Sequence, residues 1–306
     1  MNDTKLITVI VPDKKGKDAM EKIQGINAIL VESGKPVVSD ALNAEVLVVG
    51  PAEQQSEVED ALRQIKQLPH LKLLQTLGQG IEQWDGLLPN DLIISTARGA
   101  HGGSTAELVL ASLLAIMREL PHYIKNQQSR IWEGRRARTL QNANVLVYGS
   151  GDLGLNIKSR MLPFGAKVTM VGAHNHEDVI DTAKARTLLP TTDVVILALP
   201  LTRDTRHTVD TDFLALLRDG TIVINAGRGG LVDQAALLKE LQDGRLQAAL
   251  DVTTPEPLEF DSPLWDAPGL LITPHVGGNT VGADDRAWEM AVSQIQAYVR
   301  GDLSYS

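Results

Sequence analysis

The feature that most constrains this chain is an apolar strand that runs directly into a glycine-rich turn, Val145–Gly154 (VLVYGSGDLG). A helix is predicted next, over Leu155–Leu162, and then a second strand. In that setting Gly149 allows a tight turn, Gly151 lets the backbone approach a diphosphate, and Gly154 lets helix and strand pack closely. The pattern predicts a dinucleotide-binding turn, with the N-terminus of the helix facing the phosphates.

Length and composition limit the class of protein. A chain of 306 residues has room for one large or two medium domains, and 43% hydrophobic residues allow a substantial core. The net charge of -9 argues against nucleic acid or an anionic membrane as a partner, and the absence of cysteine excludes disulfides and thiol catalysis. The N-terminal sequence does not resemble a signal peptide, and no apolar run reaches the roughly 18 residues that span a bilayer. We therefore expect a soluble, cytoplasmic protein.

Short apolar runs alternate with helical patterns before the glycine turn, which predicts a parallel sheet covered by helices on both faces. The predicted strands are Leu6–Val11, Ala28–Val31, Ala44–Val49, Leu71–Gln75 and Leu92–Ser95, and the predicted helices are Lys17–Gln24 and Ser56–Gln67. A second glycine-rich loop, Gly78-Gln79-Gly80, follows the fourth strand at the edge where such sheets bind ligands. From the residues alone it could equally be a plain turn.

A long helix is predicted from Thr105 to about Ser129, and it is apolar nearly all round between Leu108 and Met117. A helix of that kind is buried, either inside the monomer or against another chain. Pro121 should kink or divide it.

A second set of strands follows the glycine turn. The predicted strands are Val194–Leu199, Thr221–Asn225, Gln247–Val252 and Leu270–Thr273, and the predicted helices are Thr211–Leu217, Asp233–Asp243 and Val281–Arg300. We therefore expect two parallel-sheet domains. The first comprises residues 1–98 with 282–306, and the dinucleotide-binding domain comprises residues 99–281.

Three side chains suited to chemistry follow strands of the second unit. Arg228 lies in a glycine-rich loop, and its planar fork suits a carboxylate. Glu256 lies between two prolines, and His275 follows Pro274 at a strand end. A carboxylate can orient an imidazole and favour its protonated form, giving an acid that works near neutral pH. Singly, each residue would more often be solvated or structural, but together at one sheet edge they favour a catalytic site.

The chain resembles the D-isomer-specific 2-hydroxyacid dehydrogenase family over nearly its whole length, most specifically from about Gly99 onward. The motifs that carry the resemblance are Tyr148-Gly-Ser-Gly-Asp-Leu-Gly154, Leu197-Ala-Leu-Pro-Leu201, Ile224-Asn-Ala-Gly-Arg-Gly-Gly230, Asp251-Val-Thr-Thr-Pro-Glu-Pro-Leu258 and Thr273-Pro-His-Val-Gly-Gly278. It implies a fold of two Rossmann-like α/β domains, with the cofactor domain inserted in the substrate domain.

The resemblance also implies roles for the candidate residues. Arg228 would hold the carboxylate of a 2-oxo acid and polarise its carbonyl. His275 would protonate the carbonyl oxygen, and Glu256 would pair with His275. Backbone N–H groups at Gln79 and Gly80 would grip the same carboxylate.

The cofactor contacts implied by the resemblance lie mostly at strand ends. They are Thr105, Gly149, Gly151, Asp152, Leu153, Gly154, Gly172, His174, Leu199, Pro200, Ala226, Gly227, Asp251, His275 and Gly277. Asp251 would contact the nicotinamide carboxamide. The family is usually dimeric through the long helix of the cofactor domain, and the apolar stretch Leu108–Met117 fits such a homodimer.

Two positions depart from the family pattern. NAD-specific members carry an acidic residue at the end of the second strand of the glycine-turn unit, where this chain has Gly172 and no acid before Glu177. Because the stretch also lacks arginine, neither cofactor is selected strongly, and we expect both NAD and NADP to be accepted. His174, Asn175 and His176 can donate hydrogen bonds to a 2′-phosphate, so we expect a mild preference for NADP. The other departure is Asp152, whose charge should point away from the phosphates and favour the helix N-terminus.

The sequence therefore predicts an NAD(P)-dependent oxidoreductase that reduces a small 2-oxo acid, such as glyoxylate or hydroxypyruvate, to the D-2-hydroxy acid, or runs the reverse. One alternative is a dinucleotide-sensing scaffold that acts through partners. Another is a phosphoglycerate dehydrogenase, for which Lys14, Lys15 and Lys17 could supply cations, although they are typical of a solvated loop. No metal site is predicted, because the histidines lack ligand spacing.

Overall fold

The computed structural model describes residues 6–52, 55–173 and 178–302. The chain forms two compact units: the first runs up to His101 and resumes at Val281, and the second comprises Gly102–Thr280. The second unit is therefore inserted in the first, and the chain crosses between them after His101 and before Val281.

Within the described part of the chain, all strands belong to two parallel sheets. The strands are β1 (Ile7–Val11), β2 (Ile26–Leu30), β3 (Val46–Val49), β4 (Leu73–Thr76), β5 (Ile93–Ser95), β6 (Asn144–Tyr148), β7 (Lys167–Gly172), β8 (Val179–Asp181), β9 (Val194–Leu197), β10 (Ile222–Asn225), β11 (Gln247–Leu250) and β12 (Leu270–Ile272). The helices are α1 (Lys14–Met20), α2 (Gln55–Ile65), α3 (Gly102–Met117), α4 (Leu120–Gln128), α5 (Asp152–Met161), α6 (Thr182–Leu188), α7 (Thr211–Leu216), α8 (Gln234–Gln242) and α9 (Ala283–Arg300).

The first unit is a five-stranded sheet in the order β2-β1-β3-β4-β5. Successive strand residues point to opposite faces, so Val9 and Val11 join the core under α1 and α9, whereas Ile10 joins the core under α2. On α9, Trp288 is buried and its indole N–H donates to Asp13 Oδ2 at 3.3 Å. Burying an aromatic side chain of this kind stabilises by about 2–3 kcal/mol, which ties the returning helix to the first unit.

The second unit is a seven-stranded sheet in the order β12-β11-β10-β9-β6-β7-β8. Val145 and Val147 of β6 pack beneath α3 and α5, while Leu146 and Tyr148 pack beneath α6, α7 and α8. Both faces of the sheet are covered, as near-continuous apolar strands require. The expected class of two parallel-sheet α/β domains is confirmed.

Several predicted boundaries were wrong. Helix α1 begins at Lys14 rather than Lys17, because Asp13 accepts a hydrogen bond from Gly16 N and starts the helix there. The long helix begins at Gly102 rather than Thr105. Its predicted division near Pro121 is confirmed: it is split into α3 and α4 at Glu119, which has a left-handed φ of 59°. Strand β8 and helix α6 were missed altogether.

Within the described ranges, 6–52, 55–173 and 178–302, no helix is both long and apolar enough to cross a membrane.

Candidate active site

The second unit carries its predicted functional residues at the carboxyl ends of successive strands. In sheet order, they are His275 and Gly277 after β12, Asp251 and Glu256 after β11, Ala226, Gly227 and Arg228 after β10, Leu199 and Pro200 after β9, the 149–154 turn after β6, and Gly172 at the end of β7. Parallel strands place all these ends on one edge of the sheet. The strand order reverses between β6 and β9, and such reversal points are where open α/β sheets bind ligands.

The turn after β6 is as tight as its glycines predicted. Gly149 has a φ of 120°, and a Cβ atom on it would lie 2.3 Å from the Ala198 carbonyl oxygen. A Cβ on Gly154 would lie 1.9 Å from the Gly149 oxygen. Gly151 faces open space, with nothing within 4 Å of a Cβ. At Gly149 and Gly154 the backbone is too closely packed for a side chain, whereas Gly151 faces open space. A turn of this shape fits a diphosphate.

The loops after β9 and β10 touch. A Cβ on Gly227 would lie 2.7 Å from the Leu199 carbonyl oxygen, so only glycine allows this approach. The next residue, Arg228, donates from Nη1 to the Gly227 oxygen at 2.8 Å.

Asn225 is a site residue that we missed from the sequence. It is fully buried at the end of β10, where it accepts a hydrogen bond from Gly227 N at 3.1 Å and donates to the Arg228 oxygen at 2.8 Å. Asn225 therefore fixes the backbone of the loop at Gly227 and at Arg228. The available signal was a polar residue ending an otherwise apolar strand.

Glu256 and His275 form the hydrogen-bonded pair that was expected. His275 Nδ1 lies 2.7 Å from Glu256 Oε2. Because a carboxylate only accepts, Nδ1 carries the proton and Nε2 is left for a substrate. The other carboxylate oxygen, Oε1, accepts from Thr253 N at 2.9 Å, which fixes the orientation of Glu256.

The charges at this edge act on each other. The hydrogen bond to Glu256 raises the pKa of His275, and burial opposes this rise only in part. Burial opposes the lowering of the pKa of Glu256, but the hydrogen bond and charge of His275 prevail and hold it below its ordinary value. Arg228 also acts on both: its charge lowers the pKa of each partner. The structure thus brings the three predicted residues into one electrostatic cluster.

Asp251 holds the loop that carries His275. Its backbone oxygen accepts from His275 N at 2.7 Å, and its carboxylate accepts from Val276 N and Gly277 N, each at 2.9 Å. His275 has a left-handed φ of 51°, a conformation that costs about 1–3 kcal/mol in a non-glycine residue. These bonds over-determine the loop and so maintain the strained residue.

Thr105, in the first turn of α3, lies against this loop. A Cβ on Gly277 would lie 2.8 Å from Thr105 Cγ2 and 2.9 Å from Asp251 Oδ2. Thr105, Asp251 and Gly277 therefore form one packed group beside His275.

The end of β7 lies beside β8, a strand that the sequence analysis did not predict. Gly172 is paired in register with Asp181 of β8. The Asp181 carboxylate accepts from Lys184 N at 2.7 Å, so it caps α6. His174, a predicted cofactor contact, lies outside the described residues.

Gln79 and Gly80 follow β4 of the first unit, as expected. The loop is tied to its own sheet, because Ala97 N donates to the Gly78 oxygen at 3.0 Å and Gln83 Nε2 donates to the Gly80 oxygen at 3.2 Å. The side-chain nitrogen of Gln79, Nε2, is buried without a hydrogen-bond partner among the described residues.

More than half of the chain matches the model of one known protein family. The family model described as D-isomer specific 2-hydroxyacid dehydrogenase, NAD binding domain, matches residues 110–277, which include the glycine turn, Arg228, Glu256 and His275. The chain belongs to this family. Its members are oxidoreductases, and the second unit is a domain of the NAD-binding type.

Named relatives support the same assignment. Glyoxylate/hydroxypyruvate reductase B from Serratia proteamaculans is 30% identical over 253 residues, which cover 78% of each protein. D-3-phosphoglycerate dehydrogenase from Methanocaldococcus jannaschii is 26% identical over 98% of this chain, but the chain spans only 59% of that relative. A solved D-isomer specific 2-hydroxyacid dehydrogenase from Xanthobacter autotrophicus Py2, in complex with NADPH and MES, has 26% identity and a TM-score of 0.82, with 97% of this chain and 96% of that chain covered.

Proposed function

We propose that this protein reduces a small 2-oxo acid to the D-2-hydroxy acid with NAD(P)H, or catalyses the reverse reaction. The observation that carries the proposal is the 2.7 Å hydrogen bond between Glu256 and His275, with Arg228 acting electrostatically on both. In this assignment the second unit is the cofactor domain and the first is the substrate domain.

Each of the candidate residues has a proposed role that this geometry supports. NAD(P)H, when bound, supplies the hydride for the carbonyl carbon. Arg228 binds the carboxylate through its planar fork and draws electron density from the carbonyl. His275 holds a proton on Nε2 for the carbonyl oxygen, and Glu256 keeps the imidazole oriented and charged. Gln79 and Gly80 add backbone N–H donors for the substrate carboxylate, by analogy with the family.

The residues present suit the dinucleotide. The 149–154 turn leaves the first N–H groups of α5 for a diphosphate, and Gly151 opens toward that space. Asp251, which lies beside Thr105 and Gly277, is the residue proposed to contact the nicotinamide carboxamide. Gly172 supplies no acid of its own, and the Asp181 carboxylate is engaged in capping α6. This supports acceptance of both cofactors with a mild preference for NADPH, the cofactor of the Xanthobacter relative.

A glyoxylate- or hydroxypyruvate-like substrate is favoured over 3-phosphoglycerate. Two of the three lysines that might have held a phosphate pair with carboxylates instead. Lys15 pairs with Asp285 of α9, and Lys17 Nζ lies 3.7 Å from Glu21 Oε1 at the end of its own helix.

We also propose a homodimer formed through the second unit. The apolar residues of α3, including Leu113 and Ile116, are used in that unit's own core, so they do not need a partner. Exposed apolar side chains of the second unit include four on α4 and the segment after it: Leu120, Ile124, Ile131 and Trp132. Patches of this kind mark association surfaces. Sedimentation that finds only monomer at micromolar concentration would contradict the homodimer.

A turnover assay with a panel of 2-oxo acids, run with NADH and with NADPH, tests the proposed function. We expect cofactor oxidation with at least one short substrate. The scaffold alternative instead predicts cofactor binding without turnover of any panel member.

A further inference from the structure

We propose that Asp152 is a positioning residue that joins the diphosphate turn to the first turn of α3, and thereby places Thr105 at the nicotinamide end of the site. This inference rests on the proposed cofactor binding and goes beyond it, because it assigns a role to the side chain that departs from the family pattern.

The first observation is the contact between Asp152 and α3. Asp152 begins α5, immediately after Gly151. A Cβ atom on Gly102, the first residue of α3, would lie 1.8 Å from Asp152 Oδ2 and 2.6 Å from its Cγ. The carboxylate therefore occupies the place where any other residue at position 102 would put its side chain.

The second observation is that the carboxylate is held in this orientation. Its Oδ1 accepts from Asn156 Nδ2 at 3.0 Å, and Asn156 Oδ1 accepts from Arg160 Nη1 at 2.7 Å. Arg160 Nη2 lies 3.6 Å from Glu107 Oε1 on α3. The other oxygen, Oδ2, is buried and has no hydrogen-bond partner among the described residues. A buried carboxylate oxygen without a donor is uncommon, and the positive end of α3 beside it compensates for its charge.

The third observation is that α3 contacts the loop that carries His275. One turn after Gly102, Thr105 packs against Gly277 and Asp251, and Asp251 holds the backbone of His275. The first turn of α3 thus lies between the diphosphate turn on one side and the nicotinamide partner Asp251 on the other. Asp152 sets the distance between these two ends of the dinucleotide site.

The test measures what the nicotinamide half adds to binding. Dissociation constants for NADH and for ADP-ribose, which lacks nicotinamide, are measured by calorimetry for wild type, Asp152→Ala, Gly102→Ala and the double variant. Gly103→Ala is the matched control, because a Cβ there meets only the flexible end of Arg160 at 3.2 Å. Thermal unfolding of each protein without cofactor reports whether it folds.

If Asp152 positions α3, Asp152→Ala and Gly102→Ala each lower the ratio of the ADP-ribose constant to the NADH constant by about tenfold, the equivalent of one lost contact. Gly103→Ala leaves the ratio unchanged. The two losses are not additive: the double variant is no worse than Asp152→Ala, because removing the carboxylate makes room for the methyl group.

Equal changes for both ligands would show that Asp152 acts only on the phosphates, and additive losses would show that the contact with Gly102 is not the cause; either result overturns the inference. If Asp152→Ala does not fold at the assay temperature, Asp152→Ser, whose shorter side chain also leaves the Gly102 position, takes its place. If Gly102→Ala alone does not fold, the double variant is compared with its Asp152 parent, and a loss in the double variant beyond that of the parent overturns the inference. A wild-type protein that binds neither NADH nor NADPH contradicts the proposed function itself, and this inference with it.

Discussion

His275 is the residue on which the proposed chemistry depends most. Its imidazole is about half exposed, carries its proton on Nδ1 toward Glu256, and has a raised pKa because of that hydrogen bond. A raised pKa favours the protonated imidazole, and an imidazolium whose Nε2 proton is left for the substrate is suited to act as a general acid.

Replacing His275 by alanine or glutamine should lower kcat by roughly 10²–10⁴-fold, the usual contribution of a positioned acid or base. Although His275 is also a predicted cofactor contact, the dissociation constant for NADPH, measured by fluorescence titration, should change far less than kcat, because the proton on Nε2 is used only in the chemical step. A variant that retains the wild-type kcat on every substrate turned over would show that another group donates the proton.

Arg228→Lys should impair turnover nearly as much as Arg228→Ala. Lysine keeps the charge but lacks the planar, two-pronged geometry that matches a carboxylate. Steady-state kinetics with the preferred 2-oxo acid would check this expectation, and near-normal KM and kcat in the lysine variant would be incompatible with the clamp.

Glu256→Gln should move the alkaline limb of the reduction rate to lower pH. Reduction requires protonated His275, so the rate falls as pH rises through the pKa of His275. Glu256 raises that pKa, and a neutral amide supports the imidazolium less, so the fall should begin at lower pH. A pH–kcat profile identical to wild type would indicate that the two side chains do not interact in the working enzyme.

At the scale of elements, the end of β7 is expected to decide between the two cofactors. An acidic residue there accepts hydrogen bonds from the adenosine ribose and repels a 2′-phosphate. Gly172 provides neither effect, and its partner on β8, Asp181, uses its carboxylate to cap α6.

Gly172→Asp should therefore shift preference toward NADH, measured as the ratio of kcat/KM for the two cofactors. Wild type should accept both, with NADPH mildly favoured. If wild type strongly prefers NADH and the variant leaves that ratio unaltered, the ribose lies elsewhere.

Elements differed in how far the sequence predicted them. The strands with runs of apolar residues were predicted, because each is buried on both faces of its sheet. The short strand β8 and helix α6 were missed, since three residues carry no period and the helix depends on the Asp181 cap. Asn225 escaped notice for another reason: its function is two hydrogen bonds to its own loop, which periodicity does not reveal.

At the scale of the whole molecule, the order and apolar pattern of the strands predict two parallel sheets. They also predict that the chain leaves the first unit and returns to it. This pattern does not predict which segments become neighbours in the fold. The approach of Gly277 to Thr105, and of Gly102 to Asp152, joins positions more than a hundred residues apart or on different helices, and only the folded chain shows it. The pairing of Glu256 with His275 came from the family resemblance rather than from spacing.

The most direct test of the central claim is the configuration of the product. The protein is incubated with NADPH and the best 2-oxo acid of the panel that yields a chiral 2-hydroxy acid, and the product is resolved by chiral chromatography. Reduction with the geometry of this family predicts the D-2-hydroxy acid as the sole enantiomer. An L product, a racemate, or cofactor binding with no hydroxy acid formed would contradict it.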